Sequence, residues 1–173
     1  MVEVTRTFLE MRDPAQLNRK SLPTADAHIV FRSPCTAEQY RELYRRVGER
    51  WHWRDRDIWT DERLAQHLAR PNISVWELRV GEMLGGYFEL EAQDGGDVEI
   101  VYFGLTPEFI GKGFGAGLLS HAVNEAFGLG ASRVWLHTCT LDSPYALPNY
   151  KARGFKETGK VEKYVVQVEA PSS

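Results

Sequence analysis

The chain has 173 residues, a formal net charge of −3, 43% hydrophobic and 26% charged residues, the profile of one globular domain (residues 1–173) with a sizeable core and without the basic excess of a nucleic-acid or anionic-membrane binder. Its two cysteines, Cys35 and Cys139, lie far apart and outside any C-x-x-C, which argues against a zinc or thioredoxin-like motif. No run of eighteen apolar residues and no apolar leader occurs, so the expectation is a cytoplasmic protein, monomer or homodimer, that does not cross a membrane.

In chain order, Val2–Met11 alternates as a strand, residues 14–25 form a polar connector, and Ala27–Arg32 is a short strand closed by Ser33-Pro34. Thr36 caps a helix with Glu38 and Gln39 in its first turn and an apolar stripe of Leu43, Tyr44 and Val47. Thr60-Asp61-Glu62 opens a second helix that stops before Pro71-Asn72. Ile73–Val80 and Met83–Ala92 read as a hairpin across Gly81-Glu82, and a second turn at residues 93–96 leads into a strand over 98–105. The period then changes. Leu118, Leu119, Ala122, Val123, Ala126 and Phe127 recur at helical spacing, ended by Gly128 and Gly130. A strand over 133–140, a short helix over 143–153 that Pro148 should kink or restart, and an alternating strand over 161–168 follow. The strand–helix–strand order from 98 to 140 predicts a parallel pair with a right-handed crossover. The fold class is therefore α/β in the α+β sense: a mixed, mostly antiparallel sheet with one parallel pair, flanked by helices.

The glycine-rich segment 111–117 sits between an apolar strand and an amphipathic helix. A helix N-terminus has free N–H groups and the positive dipole end, and glycines let an anion reach the backbone. The bland alternative is a flexible turn with a glycine cap. A Walker loop fails because Lys112 is followed by Gly113. Gly111-x-Gly113-x-x-Ala116 formally matches a dinucleotide fingerprint, but residues 106–110 separate it from the strand, no acidic residue ends the next strand, and hairpins precede it.

The stretch from Leu105-Thr106-Pro107 through Ile110-Gly111-Lys112-Gly113-Phe114-Gly115 resembles the central motif of the GNAT superfamily of acetyl-CoA-dependent N-acyltransferases. Gly113 and Gly115 fall on its small positions, while Ile110 stands where Gln or Arg is usual. Downstream, Asp142, Ala146, Tyr150, Gly154 and Phe155 match the spacing of the family's Asn-x-x-x-Ala-x-x-x-Tyr-x-x-x-Gly-Phe, with Asp for Asn. The resemblance covers roughly residue 74 to the C-terminus. It implies acetyl-CoA as acyl donor, no metal, and a primary amine of a small molecule or peptide as acceptor, attacking directly in a ternary complex. It also implies a cofactor site at Phe103, Leu105, Gly111, Lys112, Gly113, Phe114, Gly115, Ala116, Asp142 and Tyr150, relying on backbone amides because Ile110 lacks a polar side chain.

By the same resemblance Tyr150 is the candidate acid for the leaving thiolate, its alternative role being packing against the cofactor tail. Cys139 is not needed as a nucleophile and reads as a buried small apolar residue. Glu99 is the favoured base. Strand alternation sets it on one face with Val101, Phe103 and Leu105, about 13 Å along the strand from Phe103, so it would act through water. Its alternative is a solvated strand-end carboxylate, and Glu89, Glu91 and His137 are rival bases. Trp51, Trp53, Arg54 and Trp59, on the connector between the first two helices, are candidates for the acceptor pocket. The rings suit an apolar or cationic acceptor, and Arg54 and Arg56 suit a carboxylate. Otherwise the rings roof the core and the arginines pair with Asp55 or Asp57. Two other readings remain at this stage: a non-catalytic acyl-CoA sensor on the same scaffold, and a NAD- or ATP-binding domain.

Overall fold

The computed structural model describes residues 1–168. Its strands are β1 (Val2–Met11), β2 (Ala27–Arg32), β3 (Ile73–Val80), β4 (Met83–Ala92), β5 (Asp97–Leu105), β6 (Arg133–Cys139) and β7 (Lys156–Val166). Its α-helices are α1 (Ala37–Gly48), α2 (Asp61–Leu68), α3 (Phe114–Gly128) and α4 (Ala146–Arg153). The strands form one sheet in the order β2-β3-β4-β5-β6-β1-β7, antiparallel throughout except for β5 and β6. The expected mixed sheet with one parallel pair is thus the fold.

Local chemistry explains most of the boundaries. At α1, Thr36 Oγ1 accepts the Gln39 N–H at 3.1 Å and the Gln39 side chain accepts the Thr36 N–H at 3.0 Å, a capping box worth about 1 kcal/mol. Thr60 caps α2 through the Arg63 N–H. The sheet buries both faces. Leu118, Leu119, Ala122, Val123 and Ala126 of α3 pack with Leu9, Phe88, Ile100, Val134 and Leu136 on one face, where Tyr150 and Phe155 join them. Tyr40, Leu43, Tyr44, Val47 and Leu64 of α1 and α2 pack with Val75, Leu84 and Tyr87 on the other.

Three expectations are corrected. The helix predicted over 143–153 begins at Ala146 and neither kinks nor restarts at Pro148. Its first backbone bond is Asn149 N–H to Tyr145 C=O, so Pro148 lies in the first turn, where no N–H is required. The last strand spans Lys156–Val166 rather than 161–168, because residues 158–160 stand against Phe8 alone, with Gly159 at φ +90° at that irregularity. Apart from these corrections, β1 lies between β6 and β7, a placement its own alternation does not encode.

The third concerns Glu99. The β4–β5 register shifts between Glu89↔Tyr102 and Leu90↔Ile100, leaving Val101 as an extra residue. That bulge reverses the alternation. Val98, Ile100, Phe103 and Leu105 face the α3 side, whereas Tyr102 packs on the α1–α2 side. Glu99, between Val98 and Ile100, therefore faces away from Phe103 and Leu105.

Candidate active site

β5 and β6 pair only from Asp97↔Arg133 to Glu99↔Trp135. Beyond that the bulge bends β5 away, and the two strands open into a wedge. Residues 100–105 and the facing Leu136, His137 and Cys139 line a cleft of about 940 Å³. Glu99 and Trp135 close its narrow end.

One arm of the cleft runs to the N-terminus of α3. Gly111 (φ +77°) and Gly113 (φ +86°) hold left-handed conformations that strain other residues, and Gly113 is the N-cap. Among the described residues no side chain caps α3, and no acidic residue lies in its first turn, so its first N–H groups and positive dipole end suit an anion. Ile110, Gly111, Gly113, Gly115 and Ala116 line this arm on one side, and Tyr145, Ala146 and Asn149 on the other. A methyl group on Gly115 would sit 3.3 Å from Asn149 Nδ2, so the close approach of α3 and α4 depends on that glycine. Lys112 and Phe114 do not line the cleft. Lys112 is exposed, and the Phe114 ring packs in the core edge-on to Phe109 at 5.2 Å.

At the centre, Tyr150 lines the cleft, its ring 6.0 Å from that of Phe103 and 6.3 Å from that of Phe155. Burial, then the charge of Asp142, pushes its hydroxyl well above the ordinary tyrosine range. Asp142 accepts from Thr138 Oγ1 at 2.6 Å and from the Cys139 N–H at 2.9 Å, tying the end of β6 to the turn before α4. Cys139 is half-buried on the cleft wall, not a core residue, and burial followed by Asp142 raises its thiol.

Glu99 is half-buried. Burial comes first, then Glu91 directly opposite on β4, then Glu89, in pushing its carboxyl up to about 7. The rivals separate physically. Glu89 is fully buried, and although burial alone would raise it, bonds from His67 and Arg56 outweigh burial and hold it below the usual carboxylate range. It is therefore a poor base. His137 lines the cleft, lowered by burial and then by Arg6.

The other arm lies under the α1–α2 connector. Trp51, His52, Trp53, Arg54 and Asp55 line it, facing Arg6, Tyr102, His137 and Tyr164. Trp59 does not. Its ring stacks under the Arg56 and Arg63 guanidiniums at 4.5 and 4.1 Å. Arg54 pairs with Asp57 at 3.5 Å, whereas Arg56 turns inward to Glu89 rather than to Asp55 or Asp57. Sequence reasoning missed Tyr145 and Asn149, which stand within the second motif, and also Arg6 and Tyr164, which reach the cleft only through the long-range pairing of β1 and β7. Among the described residues no group of three His, Cys, Asp or Glu side chains is placed to hold a metal ion, and no helix is long and apolar enough to cross a membrane.

The model of the Acetyltransferase (GNAT) family matches residues 37–155. No curated protein matches the chain. Among solved structures, a GCN5-related N-acetyltransferase from Kribbella flavida superposes with a TM-score of 0.65 at 16% identity, over 92% of this chain and 56% of its own. A GNAT-family acetyltransferase from Novosphingobium aromaticivorans gives 0.62 at 13% identity, over 94% and 63%. An aminoglycoside acetyltransferase from an uncultured soil metagenomic sample, in complex with sisomicin, gives 0.64 at 16% identity, over 86% and 97%. The chain thus spans about six-tenths of the first two proteins and nearly all of the third, and what it shares with them at these identities is the fold. With more than half of its length matched by the family model, on a sheet that opens between its parallel strands, the chain belongs to the GNAT acetyltransferase family.

Proposed function

We propose that residues 1–173 act as one N-acetyltransferase unit, carrying an acetyl group from acetyl-CoA to a primary amine of a small molecule or peptide by direct attack in a ternary complex. The observation that carries this reading is the wedge between β5 and β6, with an uncapped helix N-terminus at one arm and an aromatic connector over the other. Acetyl-CoA supplies an acyl group already activated as a thioester. The glycine turn 111–116 fits its pyrophosphate, since two left-handed glycines and the first N–H groups of α3 offer donors without side chains in the way. Among the described residues the β6-facing edge of β5 has no strand partner from Ile100 onward, which leaves the backbone around Phe103 and Leu105 able to bond an extended amide chain.

The acceptor enters beneath Trp51, Trp53 and Arg54. Glu99 takes its ammonium proton through water, since its side chain stands at the closed end of the wedge and off the cleft lining. A carboxyl near 7 is matched to that task at neutral pH. The nitrogen–carbon bond forms as the carbon–sulfur bond breaks, and Tyr150 faces the departing sulfur. Its hydroxyl is a weaker acid than a thiol of pKa about 8.5, so it stabilises the thiolate by donating a hydrogen bond rather than by complete transfer.

Isothermal titration with acetyl-CoA, followed by an amine panel read by thiol release, tests the proposal. Saturable binding with acceptor-dependent release is expected. No binding at high micromolar concentration overturns it, and binding with only slow thioester hydrolysis identifies an acyl-CoA sensor instead.

A further inference from the structure

The connector that lines the acceptor arm is held by a buried ion pair that the chemistry above does not use. Arg56, 5% exposed, directs Nη1 and Nη2 to the two carboxylate oxygens of Glu89, 0% exposed, at 2.9 and 3.0 Å. The His67 ring nitrogen Nε2 lies 2.9 Å from the same carboxylate. A carboxylate only accepts, so His67 carries its proton on Nε2. Tyr40 OH accepts from Arg56 Nη1 at 3.0 Å, and the rings of Tyr40, Trp59 and Tyr102 enclose the guanidinium at 5.3, 4.5 and 4.9 Å. The connector backbone is bolted beside it. The Arg56 N–H donates to Tyr44 OH at 3.2 Å, and Arg41 donates to the carbonyls of Trp59 and Arg56 at 2.7 and 3.4 Å.

This socket stands one step from the reacting centre. Glu89 is the β4 partner of Tyr102, which precedes Phe103 on the wedge. Trp53 packs on Tyr102, with its ring 4.9 Å away, and lies so close over Gly48 that a methyl group there would collide with it. A buried ion pair adds little net stability over a well-packed apolar pair. What the bidentate bond adds is a single register for the chain that carries Trp51, Trp53, Arg54 and Asp55.

We propose that Arg56 is a positioning residue: by locking onto Glu89 it fixes the connector as the acceptor-side wall of the cleft, so that acceptor recognition depends on this pair while acetyl-CoA binding does not. The inference rests on the acyltransferase reading of the cleft. The double variant Arg56→Met/Glu89→Leu removes the bond and leaves an apolar pair of similar size. Its test uses acetyl-CoA affinity by calorimetry, KM for the fastest acceptor among tyramine, spermidine and a lysine-containing peptide, and hydrogen exchange of residues 51–57. The folded double variant should keep its acetyl-CoA Kd within twofold, raise acceptor KM tenfold or more, and exchange those amides at least tenfold faster. Unchanged acceptor KM and exchange overturn the inference, as does an equal loss of acetyl-CoA affinity. Should the double variant not fold, Arg56→Lys, which keeps the charge but not the fork, should show the same split at two- to threefold, and wild-type values in both readouts overturn it. If the wild type itself binds no acetyl-CoA, the acyltransferase reading has failed and not the clamp.

Discussion

Tyr150 and Glu99 differ in how far the sequence could place them. Tyr150 sits in a motif of fixed helical spacing, and a helix carries spacing faithfully into space, so its position on the cleft wall was legible. Glu99 sits on a strand whose alternation is broken by one extra residue at Val101, and no local signal marks that bulge. The bulge therefore turns Glu99 to the face opposite the one that alternation predicts. The same logic separates Arg54 from Arg56. Both are connector arginines in sequence, yet only the partner strand β4 decides which one is drawn inside. For Tyr150 the expected outcome of substitution is specific. Tyr150→Phe keeps the ring against Phe103 and Phe155 and removes only the donor. Steady-state kinetics should show kcat lower by roughly 10- to 100-fold, the range of a lost hydrogen bond to a charged group, with acetyl-CoA affinity within twofold. An unchanged kcat would leave Tyr150 only a packing role.

At the scale of elements, α4 turns on two residues with opposite sensitivities. Pro148 precedes the first N–H that the helix needs, so Pro148→Ala should change stability by no more than about 0.5 kcal/mol in thermal denaturation. A larger loss would mean that the ring aims the helix. Gly154 ends α4 at φ +113°, and a methyl group there would run into the Gln16 carbonyl as well as forcing a strained backbone. Gly154→Ala should therefore cost about 2–4 kcal/mol, and because α4 forms one wall of the cleft, acetyl-CoA affinity should fall with it. Most helices and strands were readable because capping and alternation are local. The seat of β1 between β6 and β7 was not, because strand partners far apart in sequence leave no periodic trace. That seat is also what brings Arg6 and Tyr164 to the arm of the cleft under the α1–α2 connector.

For the molecule as a whole, two glutamates on neighbouring strands pull stability in opposite directions with pH. Glu89 is lowered in the fold, so its contribution is present above the unfolded value of 4.5 and is lost as pH falls through its folded value. Glu99 is raised from 4.5 to about 7, so the stability linked to its protonated form is full below 4.5 and is lost as pH rises through about 7. The fold should be most stable between these limits. Glu99→Gln mimics the protonated carboxyl, relieving the charge that faces Glu91 across β4 and β5. After discounting for its partial exposure, the variant should gain about 1–2 kcal/mol at pH 8. That corresponds to a Tm rise of roughly 2–8 °C, with none at pH 4. A gain of the same size at both pH values would show that packing, not titration, is responsible. The functional reading requires the opposite effect on rate. In the proposed mechanism the carboxylate that strains the fold above neutrality also takes the acceptor's proton, so the variant stabilised at pH 8 should be slow there. If Glu99→Gln is both more stable and equally fast, the strained carboxylate is not the base, and His137, which lines the cleft, becomes the group to substitute next.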